Sequence, residues 1–169
     1  LMKLFTGHDY NERRGQVDEH CSWYLAMLDI DNFKLVNDQF GHVIGDEVLI
    51  LIARLIKANF RSEDYIFRYG GEDFAVLFKC AEEDTAVLIL ERLRKMIADY
   101  IFPQVGSITI SSGFTELKRS NPLSILVKQA DLALYDSKQS GRNRVTNFKK
   151  IEHLHNTECV VEHEHELFK

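Results

Sequence analysis

The sequence lacks the features that mark secreted, membrane-spanning or general nucleic-acid-binding proteins. Its three cysteines, Cys21, Cys80 and Cys159, are scattered, with neither metal-ligand spacing nor an even disulfide framework, which suits a reducing compartment. Apolar runs such as 48–53 are far too short to span a bilayer, and no signal peptide is visible. A net charge of −5 argues against a surface for polymeric nucleic acid.

Internal repeats and low-complexity linkers are also absent, so the 169 residues, 45% of them hydrophobic, predict one globular domain. We expect this domain to cover residues 1–150, with a charged, His-rich tail over 151–169. The start, Leu1-Met2, looks like a cut inside a longer protein. We expect a cytoplasmic domain, and a membrane anchor elsewhere in the longer protein stays compatible with that. The tail histidines show no strict metal-ligand spacing; they are His153, His155, His163 and His165.

Apolar periodicity predicts an α/β fold with a mixed central sheet flanked by helices. Residues 1–20 are polar and weakly periodic, which predicts a loop or short helix. The later predicted elements, in chain order, are a buried strand at 23–30, a short helix at 33–38 with Asp31-Asn32 as its N-cap, a helix at 44–60, a hairpin at 66–78, a helix at 85–101, a strand at 108–114, a helix from Asn121-Pro122 to Gly141, and a strand at 143–148.

The predicted hairpin carries the most unusual stretch of the chain. Two strands, 66–69 and 74–78, flank Gly70-Gly71, and glycines supply the positive φ of a tight turn and let backbone approach a ligand. Glu72 and Asp73 follow directly, and adjacent carboxylates repel each other, so a bound cation is a natural reason for them. A solvated acidic turn is the alternative.

A third acid, Asp29, ends the buried strand, where α/β folds place ligands. The alternative for Asp29-Ile30-Asp31 is helix capping, which Asp31 alone would satisfy. If this strand neighbours the hairpin, Asp29, Glu72 and Asp73 form one carboxylate cluster. Hard oxygen ligands of this kind suit Mg²⁺ or Mn²⁺ carried on a nucleoside triphosphate.

Basic residues that could hold phosphates occur at two places. Lys34 follows shortly after Asp29, while Lys138 and Arg142 flank Gly141 at the end of the third long helix. Taken alone, Lys138 and Arg142 are also ordinary for a helix C-terminus, where the macrodipole favours cations.

These motifs together resemble the GGDEF family of diguanylate cyclases. The resemblance runs from about residue 24 to residue 145 and implies the GGDEF fold, which is similar to the palm of nucleotidyl cyclases and polymerases. Its motifs, in chain order, are Leu28-Asp29-Ile30-Asp31-Asn32-Phe33-Lys34, Asn37-Asp38-Gln39-Phe40-Gly41-His42, Gly45-Asp46, Arg68-Tyr69-Gly70-Gly71-Glu72-Asp73-Phe74, Ala130-Asp131, Ala133-Leu134-Tyr135, Lys138 and Gly141-Arg142-Asn143.

The resemblance implies condensation of two GTP molecules into cyclic di-GMP with release of pyrophosphate. The implied catalytic residues are Glu72, Lys34 and Asp73, with Glu72 taking the proton of the attacking 3′-hydroxyl. The implied ligands of Mg²⁺ or Mn²⁺ are Asp29, the carbonyl of Ile30, Glu72 and Asp73. The implied GTP-binding residues are Phe33, Asn37, His42, Asp46, Gly70, Gly71, Lys138 and Arg142, of which Asn37 and Asp46 read the guanine edge and Lys138 and Arg142 clamp the triphosphate.

The family also implies a product-inhibition site and several partners. Arg61 and Asp64 match its Arg-x-x-Asp site for cyclic di-GMP, with Arg92 as a secondary arginine; a surface ion pair between Arg61 and Asp64 is the alternative. Catalysis needs a second GGDEF domain, so we expect a homodimer, and an upstream sensory or regulatory domain is expected in the longer protein.

Two departures from the family pattern leave three hypotheses open. The signature reads Gly-Gly-Glu-Asp-Phe, with Asp73 one methylene shorter than the usual Glu, and the family's Leu-Thr-Gly-Leu-x-Asn-Arg entry is replaced by the segment 4–13. A displacement of about 1 Å in such a site can cost on the order of 100-fold. The hypotheses are an active cyclase, an impaired domain that binds GTP or cyclic di-GMP as a sensor, and an interaction scaffold that binds neither nucleotide.

Overall fold

The computed structural model describes residues 2–3, 21–118 and 120–155, with residues 2, 3 and 155 described by their backbone only. Within these ranges it contains thirteen helices and strands. They are β1 (Met2–Lys3), β2 (Ser22–Ile30), α1 (Phe33–Phe40), α2 (His42–Asn59), β3 (Tyr65–Arg68), β4 (Asp73–Cys80), α3 (Glu83–Asp99), β5 (Ile101–Phe102), β6 (Gly106–Ser107), β7 (Ile110–Glu116), α4 (Leu123–Gln139), β8 (Val145–Asn147) and α5 (Phe148–His155).

The main sheet has the strand order β1-β3-β4-β2-β7-β8. Strand β2 lies inside it, antiparallel to β4 on one side and to β7 on the other. The last pair, β7 and β8, is parallel and is joined by the crossover helix α4. Strands β5 and β6 form a separate small hairpin. The predicted mixed sheet flanked by helices is therefore confirmed.

Alternating side chains of β2 pack on opposite faces of the sheet, as the pleat of a strand requires. Tyr24, Ala26 and Leu28 belong to the larger apolar cluster, which contains buried residues of α2 and α3. Leu25 and Met27 face the other way and pack with buried residues of α4. By this alternation, Asp29 lies on the α4 side of the sheet.

Helix α4 approaches β7 very closely, and Gly113 makes this possible. A Cβ atom at Gly113 would overlap backbone atoms of Ala130, Ala133 and Leu134. The helix is then fastened by Ser137, whose hydroxyl donates to the carbonyl of Ser112 at 2.8 Å. This close packing fixes the position of the C-terminal turn of α4 over the sheet.

The predicted strands and long helices agree with the structure to within a few residues, whereas several local details were wrong. The β5–β6 hairpin was not foreseen, Met2–Lys3 is a strand paired with β3, and Pro122 occupies the N-cap position of α4 instead of its first helical position. Phe148–His155 forms a helix, with Phe148 and Ile151 buried against Ala133.

That C-terminal helix crosses the predicted boundary at residue 150. Its two buried apolar side chains, Phe148 and Ile151, pack it against α4. The boundary itself stays a prediction. Residues 4–20, which include the segment that departs from the family's entry motif, and the tail from 156 onward lie outside the described residues. No helix in the described part of the chain has the length and apolarity needed to cross a bilayer.

Candidate active site

Two carboxylates face each other across neighbouring strands at the centre of the site. Asp29 of β2 and Asp73 of β4 are direct antiparallel partners, so their side chains leave the sheet on the same face. Asp29 is buried, with 7% of its surface exposed. Burial raises the pKa of Asp29 to about 6, and the neighbouring Asp73 carboxyl adds to the shift. The register thus sets a buried acid beside a second, partly exposed one.

Lys138 supplies one positive charge beside this pair. Its Nζ lies 2.6 Å from Asp29 Oδ2, and the ammonium opposes the burial effect on the pKa of Asp29. Lys138 stands in the last turn of α4, the helix that Gly113 lets down onto the sheet. The sequence placed Lys138 at a helix C-terminus; the structure adds that this terminus lies over the acids.

The turn between β3 and β4 is tight. Backbone N–H groups of Tyr69 and Gly70 both donate to the carbonyl of Asp73, at 2.8 and 3.4 Å. Arg68 donates from Nε and Nη2 to the carbonyl of Gly71 at 3.0 and 2.7 Å, which closes the turn from its outer side.

The expected positive φ at Gly70 and Gly71 was wrong, because neither is among the positive-φ residues of the described chain. Their second predicted property, room for a ligand, fits better. A Cβ at Gly71 would meet nothing within 4 Å, and one at Gly70 would meet only Asp73 Oδ2, at 3.5 Å. The backbone of this turn is therefore open to a close approach.

The expected cluster of the three acids Asp29, Glu72 and Asp73 is not found as a group of metal ligands. Among the described residues, no group of three or more His, Cys, Asp or Glu side chains is arranged to hold a metal ion. Asp29 and Asp73 form the pair, whereas Glu72 belongs to the turn, one residue before β4 begins. The donor set nevertheless fits a hard divalent cation, since two carboxylates are already held together and need positive charge beside them.

The residues expected to bind guanine lie on the paired helices α1 and α2. Asn37 of α1 is partly exposed, and its Oδ1 lies so close to Gly45 that a Cβ there would overlap it. Asp46 follows Gly45 and is exposed, as is His42 at the first position of α2. Because Gly45 has no side chain, Asn37 has room to lie against the start of α2, next to Asp46.

Two further predicted residues of α1 have opposite environments. Phe33 is buried at 4% exposure and belongs to the larger apolar cluster, so its ring packs α1 against the core. Lys34, the next residue, is exposed at the same end of the helix, four residues after the buried strand ends at Ile30.

Arg142 belongs to a loop of unusual backbone conformation. Gly141, Arg142 and Asn143 have φ values of 110°, 61° and 48°, so three consecutive residues are left-handed. Arg142 itself is exposed, and its N–H donates to the carbonyl of Ser137 at 3.0 Å. The predicted helix stop at Gly141 is confirmed, although the left-handed run is longer than the single residue that a glycine stop requires.

Asp31 is a residue whose role the sequence missed. The expected N-cap is confirmed in position only: Asn32 occupies the N-cap of α1, left-handed with φ of 58°, but no side chain makes a capping hydrogen bond. The Asp31 carboxylate instead accepts hydrogen bonds from the Thr109 and Ser111 hydroxyls, both at 2.6 Å, and from the Asn143 N–H at 3.0 Å. An acid two residues after Asp29 was the available signal, but its partners are about 80 and 112 residues away.

The predicted product-inhibition residues form a turn between α2 and β3. Asp64 accepts from the N–H groups of Arg61 at 2.8 Å and Lys79 at 3.3 Å, and burial raises its pKa. The Arg61 guanidinium is 74% exposed and lies 4.0 Å from Glu63. The alternative of an Arg61–Asp64 surface ion pair is wrong, because Asp64 is occupied by backbone and leaves Arg61 to project outward.

Arg92, the secondary arginine, reaches the same region from α3. It donates from Nε to Asn59 Oδ1 at 2.8 Å and from Nη2 to the Asn59 carbonyl at 2.7 Å. Asn59 ends α2 two residues before Arg61. Arg92 therefore satisfies carbonyl groups at the C-terminus of α2 and ties this turn to α3.

Comparison with known proteins agrees with this architecture. The family described as "Diguanylate cyclase, GGDEF domain" matches residues 7–144. The chain is 36% identical over 129 residues to diguanylate cyclase DgcZ of Escherichia coli, which covers 75% of this chain and 44% of the relative. It is 43% identical over 124 residues to diguanylate cyclase DgcP of Pseudomonas aeruginosa, which covers 72% and 18%.

Solved structures of the same kind superpose well. The GGDEF domain of DgcB from Caulobacter crescentus in complex with c-di-GMP gives a TM-score of 0.72 at 37% identity, covering 76% of this chain and 79% of that one. The active GGEEF domain of a diguanylate cyclase from Vibrio cholerae gives 0.70 at 34% identity, covering 75% and 82%. The chain belongs to the GGDEF family of diguanylate cyclases. It spans less than half the length of the two curated relatives.

Proposed function

We propose that this chain is a diguanylate cyclase domain that condenses two GTP molecules into cyclic di-GMP and releases pyrophosphate. The observation that carries the proposal is the buried Asp29 carboxylate, paired across the strands with Asp73 and bound by Lys138 at 2.6 Å. An acid pair at the end of a central strand, with one lysine against two carboxylates and beside an open glycine turn, suits a nucleoside triphosphate with its cation.

GTP is held at three places in this proposal. Asn37 and Asp46 read the guanine edge, because an amide and a carboxylate match its acceptor and its N–H donors, while His42 completes the base pocket and Phe33 supports it from the core. Gly70 and Gly71 leave open space at the turn, so the phosphates can approach its backbone. The remaining contacts come from two cations on the triphosphate, Lys138 and Arg142.

The chemical step is attack of a ribose 3′-hydroxyl on the α-phosphate of the facing GTP. Glu72 takes the hydroxyl proton, the new phosphodiester bond forms, and pyrophosphate leaves with the electrons of the broken bond. Lys34 stabilises the charge that develops on the phosphate oxygens. Asp29, the Ile30 carbonyl, Glu72 and Asp73 would hold Mg²⁺ or Mn²⁺, which would supply charge neutralisation at the phosphates.

Each domain holds one GTP, so ring closure needs two domains facing each other. We therefore expect a homodimer in the active state, brought together by a sensory or regulatory region of the longer protein. For this chain alone, the rate should rise more steeply than in proportion to protein concentration. A strictly proportional rate over a wide concentration range would contradict the need for pairing.

Product inhibition is part of the same proposal. Cyclic di-GMP binds at the exposed Arg61 guanidinium, in the turn that Asp64 shapes and Arg92 ties to α3. Guanidinium groups suit both the phosphates and the Hoogsteen edge of guanine. We also place the domain in the cytoplasm, where GTP is available.

The alternative is an impaired domain that binds GTP or cyclic di-GMP as a sensor. The specific observation in its favour is Asp73, since it pairs with Asp29 across the strands and is a methylene shorter than the family's glutamate. A shorter carboxylate retracts from the phosphates, and a shift of about 1 Å can cost on the order of 100-fold in rate.

The deciding experiment is GTP turnover with Mg²⁺ at high protein concentration, with products separated by chromatography. Glu72→Ala is compared with Glu152→Ala, which removes an exposed acid on α5, a helix that contributes no residue to the proposed site. Cyclic di-GMP from the parent and Glu152→Ala but not from Glu72→Ala would establish the cyclase. No product from the parent even as a forced dimer, with GTP still bound, would favour the sensor, and no nucleotide binding would favour the scaffold.

A further inference from the structure

The loop that carries Arg142 is held in a backbone conformation that it would not adopt alone. Gly141, Arg142 and Asn143 are left-handed in succession, and only the first is a glycine. Left-handed backbone is costly for residues with a Cβ atom, and it persists where the surroundings enforce it. The contacts of this loop should therefore reveal what enforces it.

One of these contacts comes from Asp31, directly after β2. Asn143 is the residue that follows Arg142, and its N–H donates to Asp31 Oδ2 at 3.0 Å. Asp31 is buried, with 6% exposure, and the hydroxyls of Thr109 and Ser111 fix both of its oxygens at 2.6 Å. A carboxylate locked on two sides offers the loop a rigid, charged acceptor.

The second contact comes from α3. Arg94 donates from Nη1 to Asn143 Oδ1 at 2.7 Å, and the same guanidinium is paired with Glu91 at 2.9 Å. Asn143 is thus held by its backbone from one side and by its side chain from the other. Both anchors act on the residue next to Arg142, and neither touches Arg142 itself.

We propose that Asp31 is a positioning residue for triphosphate binding. Its carboxylate fixes Asn143 in the left-handed conformation, which in turn presents Arg142 beside Lys138. Asp29 and Asp31 are two residues apart, so one short segment carries both the acid of the reaction site and the anchor of its phosphate clamp. The inference rests on the proposed function only in that Arg142 is taken to bind the triphosphate.

The test compares binding of GTPαS and GMP by calorimetry, because only the former carries the β- and γ-phosphates. Four proteins are used: the parent, Asp31→Asn, Arg142→Ala and the double variant. Asp31→Asn should weaken GTPαS binding by about tenfold, the effect of losing one charge-assisted hydrogen bond, and leave GMP binding within about twofold. In the Arg142→Ala background, Asp31→Asn should change GTPαS binding by less than about twofold, since the residue it acts through is gone.

A purely structural role for Asp31 predicts a different result. An equal loss for GTPαS and GMP, or the same tenfold loss in the Arg142→Ala background, would overturn the inference. Ser22→Ala serves as the control for loss of a hydrogen bond, since Ser22 bonds Glu116 at the opposite end of β2. It should leave the ratio of the two affinities unchanged.

Folding and function are kept apart by two further measurements. If circular dichroism shows that Asp31→Asn does not fold, Arg94→Met is used in its place. Arg94→Met removes the second hydrogen bond that holds Asn143, the one from α3, and should cause the same selective loss of GTPαS binding. A parent that binds GTPαS no better than GMP would overturn the phosphate role of Arg142 and this inference with it. A parent with a clear triphosphate preference that both anchor variants retain would overturn the inference alone.

Discussion

Replacing Asp29 by Asn should stabilise the fold, relative to the parent, by more at neutral pH than at acid pH, and should remove its function. The side chain of Asp29 is only 9% exposed, and burial raises its pKa from 3.8 to about 6. The folded state therefore binds a proton more tightly than the unfolded state does. Stability falls as pH rises through this window, and the penalty is complete above a pH of about 6.

The size of the effect follows from the two pKa values. A rise from 3.8 to about 6 costs the folded state about 1 kcal/mol at a pH of about 4.5 and about 3 kcal/mol at a pH of about 7.5. Asp29→Asn has no such penalty at either pH. The free energy of unfolding of the variant, relative to the parent, should therefore increase by about 2 kcal/mol between the two conditions.

Urea denaturation followed by Trp23 fluorescence, with a chelator present, measures this difference. Comparing two pH values cancels the constant cost of leaving Lys138 without its carboxylate partner. Asp99→Asn, which changes an exposed acid at the end of α3, is the control. A variant-minus-parent difference that is the same at both pH values would refute the argument, because the carboxyl would then not be desolvated.

Three further predictions concern other parts of the chain. Gly113→Ala should lower the free energy of unfolding, measured by chemical denaturation, by roughly 3 kcal/mol or more, because the new methyl group would meet the backbone of Leu134. Gly71→Ala is the control and should unfold like the parent, because open space surrounds Gly71. Gly45→Ala should displace Asn37 and weaken GTPαS binding by about tenfold in calorimetry, while unchanged affinity would remove Asn37 from the guanine site. Arg61→Ala should relieve inhibition by added cyclic di-GMP and preserve the initial rate of turnover; unchanged cyclic di-GMP affinity would remove the inhibitory assignment.

The sequence was sufficient for elements whose signal is local. Strand β2 was predictable because its apolar run is continuous, and α2 because its apolar residues recur at helical spacing. The β5–β6 hairpin was not predictable, since each of its strands has only two residues. Helix α5 was hidden because its eight residues mix two core contacts with a strongly charged surface.

The candidate site shows the same division. The carboxylates could be found from their positions at the end of a strand and the tip of a hairpin, but the register that sets Asp29 opposite Asp73 is a tertiary property. Asp31 was misread as a helix cap because capping is the common local use of such a residue. Its true partners lie far along the chain, where no local pattern reaches.

The parallel strand β8 has a consequence for the order in which the chain can become functional. Asp29 and Asp73 lie on the neighbouring antiparallel strands β2 and β4, both in the first half of the chain. The loop at 141–143 reaches Asp31 across 112 residues, and only after the crossover through α4. Such long-range parallel closure is slow compared with local pairing. During synthesis, the acids are therefore made well before Lys138 and Arg142, and a chain truncated before α4 would leave the acid pair on an uncovered face of the sheet without a lysine beside it. Docking of α4 and of the loop that follows it both covers Asp29 and brings the cations to it.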